Sequence, residues 1–395
     1  MSPPQDRYRP DIDGLRAVAV LLVVLFHAFP EAMPGGFIGV DIFFVISGFL
    51  ITGIVARELS EKRFSLVRFY NRRIRRIFPA LIVVLAAVLV LGWFWMLPGA
   101  YARLSADVFA SAAFAANIAL LLNSGYFDIE SAKKPLLHLW SLGIEEQFYL
   151  LWPLILMLAA RLRLSLLTVA LAIALASFVL NVALIGTNPV ATFYLPFTRA
   201  FELLTGAALA TAWSQLSHTG IASNLRAGIG IALIAAACAV LDSHSAFPGW
   251  WALLPVTGAA LLLSAPAAWG ARHLLASPPL VWTGQISYPL YLWHWPLLVF
   301  FAIIKFAPLT LLERGLIVGL SFLLAFATYR LVEIPIRFGR SIPRKTASLA
   351  AAMGLVALAG GVIFERGGFD FPCRSKSAPW PMCRNRPRNG GLAGA

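Results

Sequence analysis

Asp13-Gly-Leu-Arg16-Ala-Val-Ala-Val-Leu-Leu-Val-Val-Leu-Phe-His27-Ala-Phe-Pro30 reads as an apolar helix with charge at its mouth and one histidine three residues from its exit. Arg16 and His27 are eleven residues apart. That is three turns plus about 20°, so both face one way, roughly 16 Å apart along the axis and about half a bilayer core. They cannot touch, but they can line one passage. Asp13 stands one turn before Arg16 and can pair with it. Two readings are open for His27: a core histidine bonded to a carbonyl of a neighbouring helix, or a functional group. Ionisable groups inside spans are costly, and an imidazole can take a proton from a hydroxyl near neutrality.

The same pattern extends along the whole chain. With 59% hydrophobic and 13% charged residues over 395 positions, it has about half the charge of a typical soluble chain. The expected fold is an all-α polytopic membrane protein, one transmembrane helical bundle of about ten core spans plus one additional C-terminal span. The net charge of +14 is no nucleic-acid signal, because the basic residues fall in short loops beside the spans. No small-residue cleavage site follows the first span, so no cleavable signal peptide is expected. Cys238 lies in a span and Cys373 and Cys383 in the tail, which is no metal pattern. A Cys373–Cys383 disulfide requires a tail outside the cytoplasm.

Candidate spans are 14–30, 37–56, 77–97, 104–122, 143–160, 165–186, 197–214, 227–242, 250–265, 286–306, 310–332 and 347–364. The loop from Arg57 to Arg76 holds eight basic residues and is read as cytoplasmic. If all twelve segments crossed, the basic clusters at Arg161/Arg163 and Arg330–Lys345 would fall outside. The conflict disappears if 104–122, with Asp107 and three serines or asparagines, is a re-entrant or surface helix. The N-terminus is then inside and the C-terminus outside, although the basic tail fits poorly there.

That topology brings His27, Asp41, Glu145, Glu146, Arg199 and Glu202 to one depth. A histidine with carboxylates suits general-base work, an acid orienting the imidazole. Arg199 and Glu202, at i, i+3, read more simply as a helix-end pair at headgroup level. On the opposite face, Arg72, Arg73, Arg75 and Arg76 form a guanidinium cluster. Such a cluster either anchors on anionic lipid or binds the phosphates of a donor. His294, between Trp293 and Trp295, reads as packing or lining, and Glu333 as a neutraliser of its arginine neighbours. Outer-loop aromatics such as Tyr126, Phe127, Trp250 and Trp251 suit sugar stacking or interfacial anchoring. Soluble-enzyme motifs are absent: no G-x-S-x-G elbow, P-loop, H-E-x-x-H or placed Rossmann fingerprint.

Five blocks in order resemble the membrane acyltransferase-3 family. They are Tyr8-Arg-Pro-Asp-Ile-Asp-Gly-Leu-Arg-Ala with Arg16…His27; Gly39-Val-Asp41-Ile-Phe-Phe-Val-Ile-Ser47-Gly-Phe-Leu; the paired Arg-x-x-Arg; His138-Leu-Trp-Ser-Leu-Gly-Ile-Glu145-Glu-Gln-Phe-Tyr149; and Ser287-Tyr-Pro-Leu-Tyr-Leu-Trp-His-Trp-Pro296. The resemblance runs from Tyr8 to about Arg344. It implies a bacterial inner-membrane O-acetyltransferase, with acetyl-CoA or another acyl-CoA as cytoplasmic donor and a glycan or glycolipid hydroxyl as acceptor. Family acceptors include lipopolysaccharide, exopolysaccharide and peptidoglycan. His27 would be the essential histidine, as general base or acyl relay, and Arg16 its partner along the path. Arg72, Arg73, Arg75 and Arg76 would serve the donor, and no metal is implied; the shared depth adds Glu145 and Asp41 to the catalytic set. The chain then divides into an acyltransferase domain (1–345), an extra span (346–365) and a short basic tail (366–395). Many long relatives continue into an outer SGNH-type esterase domain, and no SGNH nucleophile block appears here. The chain is therefore naturally short, works with a separate periplasmic SGNH-type esterase, or is truncated. The alternative to an enzyme is a membrane transporter of a glycan intermediate or acyl donor, although paired Gly/Pro-broken spans in corresponding halves are missing.

Overall fold

The computed structural model describes residues 8–123, 134–216, 218–242, 244–337 and 343–369. Lys133, Tyr126, Phe127, Arg340, Cys373, Cys383 and the tail beyond residue 369 lie outside the described residues, as does any pairing of the two tail cysteines. The described residues form helices and no strand. In order these are α1 (Pro10–Ala28), α2 (Gly39–Ser60), α3 (Leu66–Trp95), α4 (Pro98–Ala112), α5 (Ala116–Asn123), α6 (Trp140–Arg161), α7 (Leu166–Ile185) and α8 (Pro189–Tyr194). There follow α9 (Pro196–Thr211), α10 (Gly220–Val240), α11 (Leu253–Leu263), α12 (Pro278–Gln285), α13 (Ser287–Lys305), α14 (Leu311–Thr328), α15 (Ile334–Arg337) and α16 (Pro343–Glu365).

Eight helical segments among the described residues are long and apolar enough to cross a membrane, and the protein is an all-α polytopic membrane protein. The four other candidate spans are also helical but deviate for local reasons. α1 carries Asp11, Asp13 and Arg16 in its first two turns, and α9 and α11 are short. Residues 104–122 do not form one rod. They break between α4 and α5, where Phe114 takes a left-handed φ of 54°. This is the segment whose polar residues argued against a full crossing.

Side-chain caps define several helix starts. Ser65 accepts from the Arg68 amide at 3.4 Å, and Asn188 accepts from the Ala191 amide at 3.0 Å. Thr310 and Glu313 form a reciprocal capping box at α14. α2 is the central rod, packed on α1, α6, α9 and α11, whereas α16 lies outermost against α3 and α4.

Lipid offers no hydrophobic drive between helices, so close backbone approach has to bind them. Gly48 and Gly206 provide it between α2 and α9. A Cβ on Gly48 would stand 1.7 Å from the Leu203 carbonyl oxygen, and one on Gly206 2.0 Å from that of Val45. Gly48→Ala must push the two backbones apart. The expected loss is about 1–3 kcal/mol, read as a lower thermal midpoint of the detergent-solubilised protein. An unchanged midpoint would mean that the helices separate freely.

Candidate active site

The first turns of α1 are pinned by polar contacts. Tyr8 Oη donates to Asp13 at 2.8 Å, Arg16 donates to Asp13 at 3.1 Å, and Arg9 donates to the Leu263 carbonyl at 3.1 Å. Arg16 is thereby held on the wall of a cavity of about 850 Å³, counting its open mouth. Ser47 of α2, Arg73 and Arg76 of α3, and Glu145 and Glu146 of α6 share that wall. The arginine cluster is therefore split. Arg73 and Arg76, one turn apart, face the cavity, while Arg72 pairs with Glu58 at 2.9 Å and Arg75 donates to the Asn71 carbonyl at 3.3 Å. Arg73 stacks over the Tyr149 ring, 5.8 Å from its centroid. Glu145 accepts from Ser47 Oγ and Tyr149 Oη, and one carboxylate oxygen of Glu146 is buried without a hydrogen bond to the described residues. Glu333 is also buried, with one carboxylate oxygen without a hydrogen bond to the described residues.

A second chamber, of about 1040 Å³, opens at the His27 end of α1. His27, Asp41, His138, Trp140 and Arg199 line it. Here His27 meets His294 and, among the described residues, no carboxylate: its Nδ1 lies 2.9 Å from His294 Nε2, with the two rings within 18° of parallel. His294 Nδ1 in turn lies 3.1 Å from the Leu290 carbonyl. A carbonyl only accepts, so with both rings neutral the proton of His294 sits on Nδ1. Its Nε2 then presents a lone pair, and His27 Nδ1 must donate to it. This leaves His27 with a lone pair on Nε2, the form needed to take a proton or attack a carbonyl. Trp295 holds the other side of the ring, 4.5 Å between centroids.

Asp41 shares the chamber, but its carboxylate serves Arg199. Arg199 Nη2 lies 3.3 Å from Asp41 and Nε 3.1 Å from Glu202. The guanidinium is also caged by Phe44, Trp140, Phe193 and Phe247, all within 5.7 Å of their centroids. Arg199 and Glu202 are 1% and 0% exposed, so they are no headgroup pair; they tie α9 to α2 inside the bundle. Glu145 and Glu146 are not beside His27 either. α6 begins at Trp140, three residues before the expected start, which sets Glu145 about 7.5 Å down the helix, in the arginine chamber.

The two chambers lie back to back, and Val40 and Tyr291 line both. Tyr291 Oη donates to the His138 carbonyl and meets Ser141 Oγ at 2.7 Å. Of these residues, His294 and Tyr291 were hidden from sequence reasoning. A histidine between two tryptophans in an apolar run looks like packing, and only its partner His27, 267 positions earlier, reveals otherwise. No group of three or more His, Cys, Asp or Glu among the described residues is placed to hold a metal ion.

Residues 9–330 match the family model described as an acyltransferase domain. The chain belongs to this acyltransferase family. Among its relatives is the peptidoglycan O-acetyltransferase OatA of Listeria monocytogenes, 34% identical over 350 residues, covering 84% of this chain and 56% of that protein. The O-acetyltransferase OatA of Staphylococcus aureus is 30% identical over 389 residues, covering 92% of this chain and 64% of that protein. The chain thus spans about three fifths of the length of these curated relatives. No solved structure matches it. The family match takes in both chambers, from Arg16 on α1 to His294 on α13.

Proposed function

We propose that the chain is an integral-membrane O-acyltransferase that moves an acetyl group from acetyl-CoA to a hydroxyl of a cell-envelope glycan, with a glycolipid hydroxyl as the other acceptor class. The observation that carries this reading is the pair of abutting chambers, one walled by arginines and the other holding an imidazole with a free lone pair. Arg73 and Arg76 suit the phosphates of the donor, since guanidinium forks bind phosphate through paired hydrogen bonds. The acyl arm then points past Val40 and Tyr291 towards His27. His27 Nε2 serves as base or acyl relay, Arg16 lines the way in, and Asp41 acts through Arg199 by holding the chamber's shape. Glu145 keeps Ser47 and Tyr149 in place on the donor side. The relatives' names point to peptidoglycan as acceptor.

By the positive-inside rule the arginine chamber faces the cytoplasm of the bacterial inner membrane and the His27 chamber the periplasm, with an inside N-terminus and an outside C-terminus. A separate periplasmic SGNH-type esterase that completes the transfer belongs to the same reading.

Acetyl-labelled acetyl-CoA supplied to inverted membrane vesicles should pass label to glycan only when the chain is present. Label transfer indifferent to the chain would end the proposal, and glycan crossing the membrane without acetylation would favour a transporter. Replacing Arg73 and Arg76 by glutamine removes two charge-assisted contacts of roughly 1.5–3 kcal/mol each. The expected result is a KM for acetyl-CoA raised at least about 10-fold, with kcat much less affected. Equal KM values would remove these arginines from donor binding.

A further inference from the structure

His138 sits in the single tight turn Leu137–Leu139 that leads into α6. Its backbone is locked, because its carbonyl accepts from Tyr291 Oη. Its ring lies against two side chains of α13, 5.1 Å from Tyr291 and 5.6 Å from His294 between centroids. The residue is only 3% exposed, yet neither ring nitrogen makes a hydrogen bond to the described residues. A buried polar group left unpaired costs about 1–3 kcal/mol, so one held rigidly in a chamber wall calls for a partner that arrives from outside. In either tautomer a neutral imidazole keeps one nitrogen with a lone pair. The chamber therefore holds two imidazole lone pairs, on His27 and on His138.

We propose that the two divide the reaction: His27 carries the acetyl group, and His138 is a further catalytic residue that takes the proton of the acceptor hydroxyl. This rests on the acyl-transfer function proposed above. In the first half, His27 Nε2 attacks the thioester carbonyl, the C–S bond breaks and the CoA thiolate leaves. The Nδ1 proton of His27 passes to His294 Nε2, which leaves a neutral acetyl-imidazole. In the second half, the acceptor O–H proton goes to His138 as its oxygen attacks the acetyl carbon. The bond to His27 Nε2 breaks and His27 recovers its Nδ1 proton from His294. The proton on His138 ends on the CoA thiolate, so acetyl-CoA and hydroxyl become ester and free thiol. Two groups are needed because Nε2 of an acetylated His27 is bonded to the acyl carbon and its Nδ1 is engaged with His294.

The test uses the full chain purified in detergent, with acetyl-labelled acetyl-CoA and a soluble peptidoglycan fragment, and separates loading from transfer. Without acceptor, wild type should hold up to one label per chain, lost in His27→Ala. His138→Ala and His138→Asn should load to the wild-type level but pass label to the acceptor at least about 100-fold more slowly. Transfer at the wild-type rate by both variants would overturn the proposal. So would a loss of loading and transfer together in His138→Asn with an unchanged thermal midpoint, because His138 would then act in the first half. Wild type that acetylates acceptor without ever holding label would overturn the carrier role of His27 while leaving the function intact. Wild type that neither loads nor transfers would count against that function itself.

Discussion

His27→Ala should lower acetyl transfer by about 10²–10⁴-fold, the contribution of one positioned imidazole to proton or acyl transfer, while the protein keeps its thermal midpoint. Midpoint retention follows from the position of the ring. It is partly buried at the edge of a chamber, and its one side-chain hydrogen bond among the described residues is to His294. The comparison of turnover with thermal midpoint in the same preparation checks this. Wild-type turnover in His27→Ala would return the histidine to an ordinary packing role.

Arg199→Ala should do the reverse and strike stability hardest. Asp41 and Glu202 are 0% exposed and face one guanidinium, so its removal leaves two carboxylates buried together without a cation. Removing one partner of a buried pair costs about 3–5 kcal/mol, and the four rings around the guanidinium lose their cation as well. The expected readout is a steep fall in folded yield and thermal midpoint in detergent. A variant that matches wild type in both would show that the cluster carries no structural weight.

The helices were largely legible because a bilayer demands long apolar runs, and charge in those runs is conspicuous. The facing of Arg16 and His27 likewise follows from helical periodicity alone. What sequence spacing could not give was the partner across the bundle. Arg199 has an acid at i+3, which suffices for a surface pair; its second acid, Asp41, is 158 residues away, and burial by four aromatic rings exists only in the folded chain. Depth was misjudged for Glu145 because a helix start three residues early moves a side chain by about 4.5 Å. The arginine run looked like a single cluster, but Glu58 on α2 takes Arg72 and the Asn71 carbonyl takes Arg75, which leaves Arg73 and Arg76 to the cavity. His294 was hidden for the same reason as Asp41: its meaning is a hydrogen bond to a residue 267 positions earlier.

The account as a whole requires the acetyl group to enter at the arginine chamber and leave at the His27 chamber. Sided transfer tests this most directly. The full chain is reconstituted in vesicles of known orientation, with acetyl-labelled acetyl-CoA only on the face bearing the loop between α2 and α3, and a soluble glycan only on the other. The account predicts label on the glycan across the membrane, abolished in His27→Ala. Transfer only when donor and glycan share a face, or only with the donor on the His27 face, would contradict it.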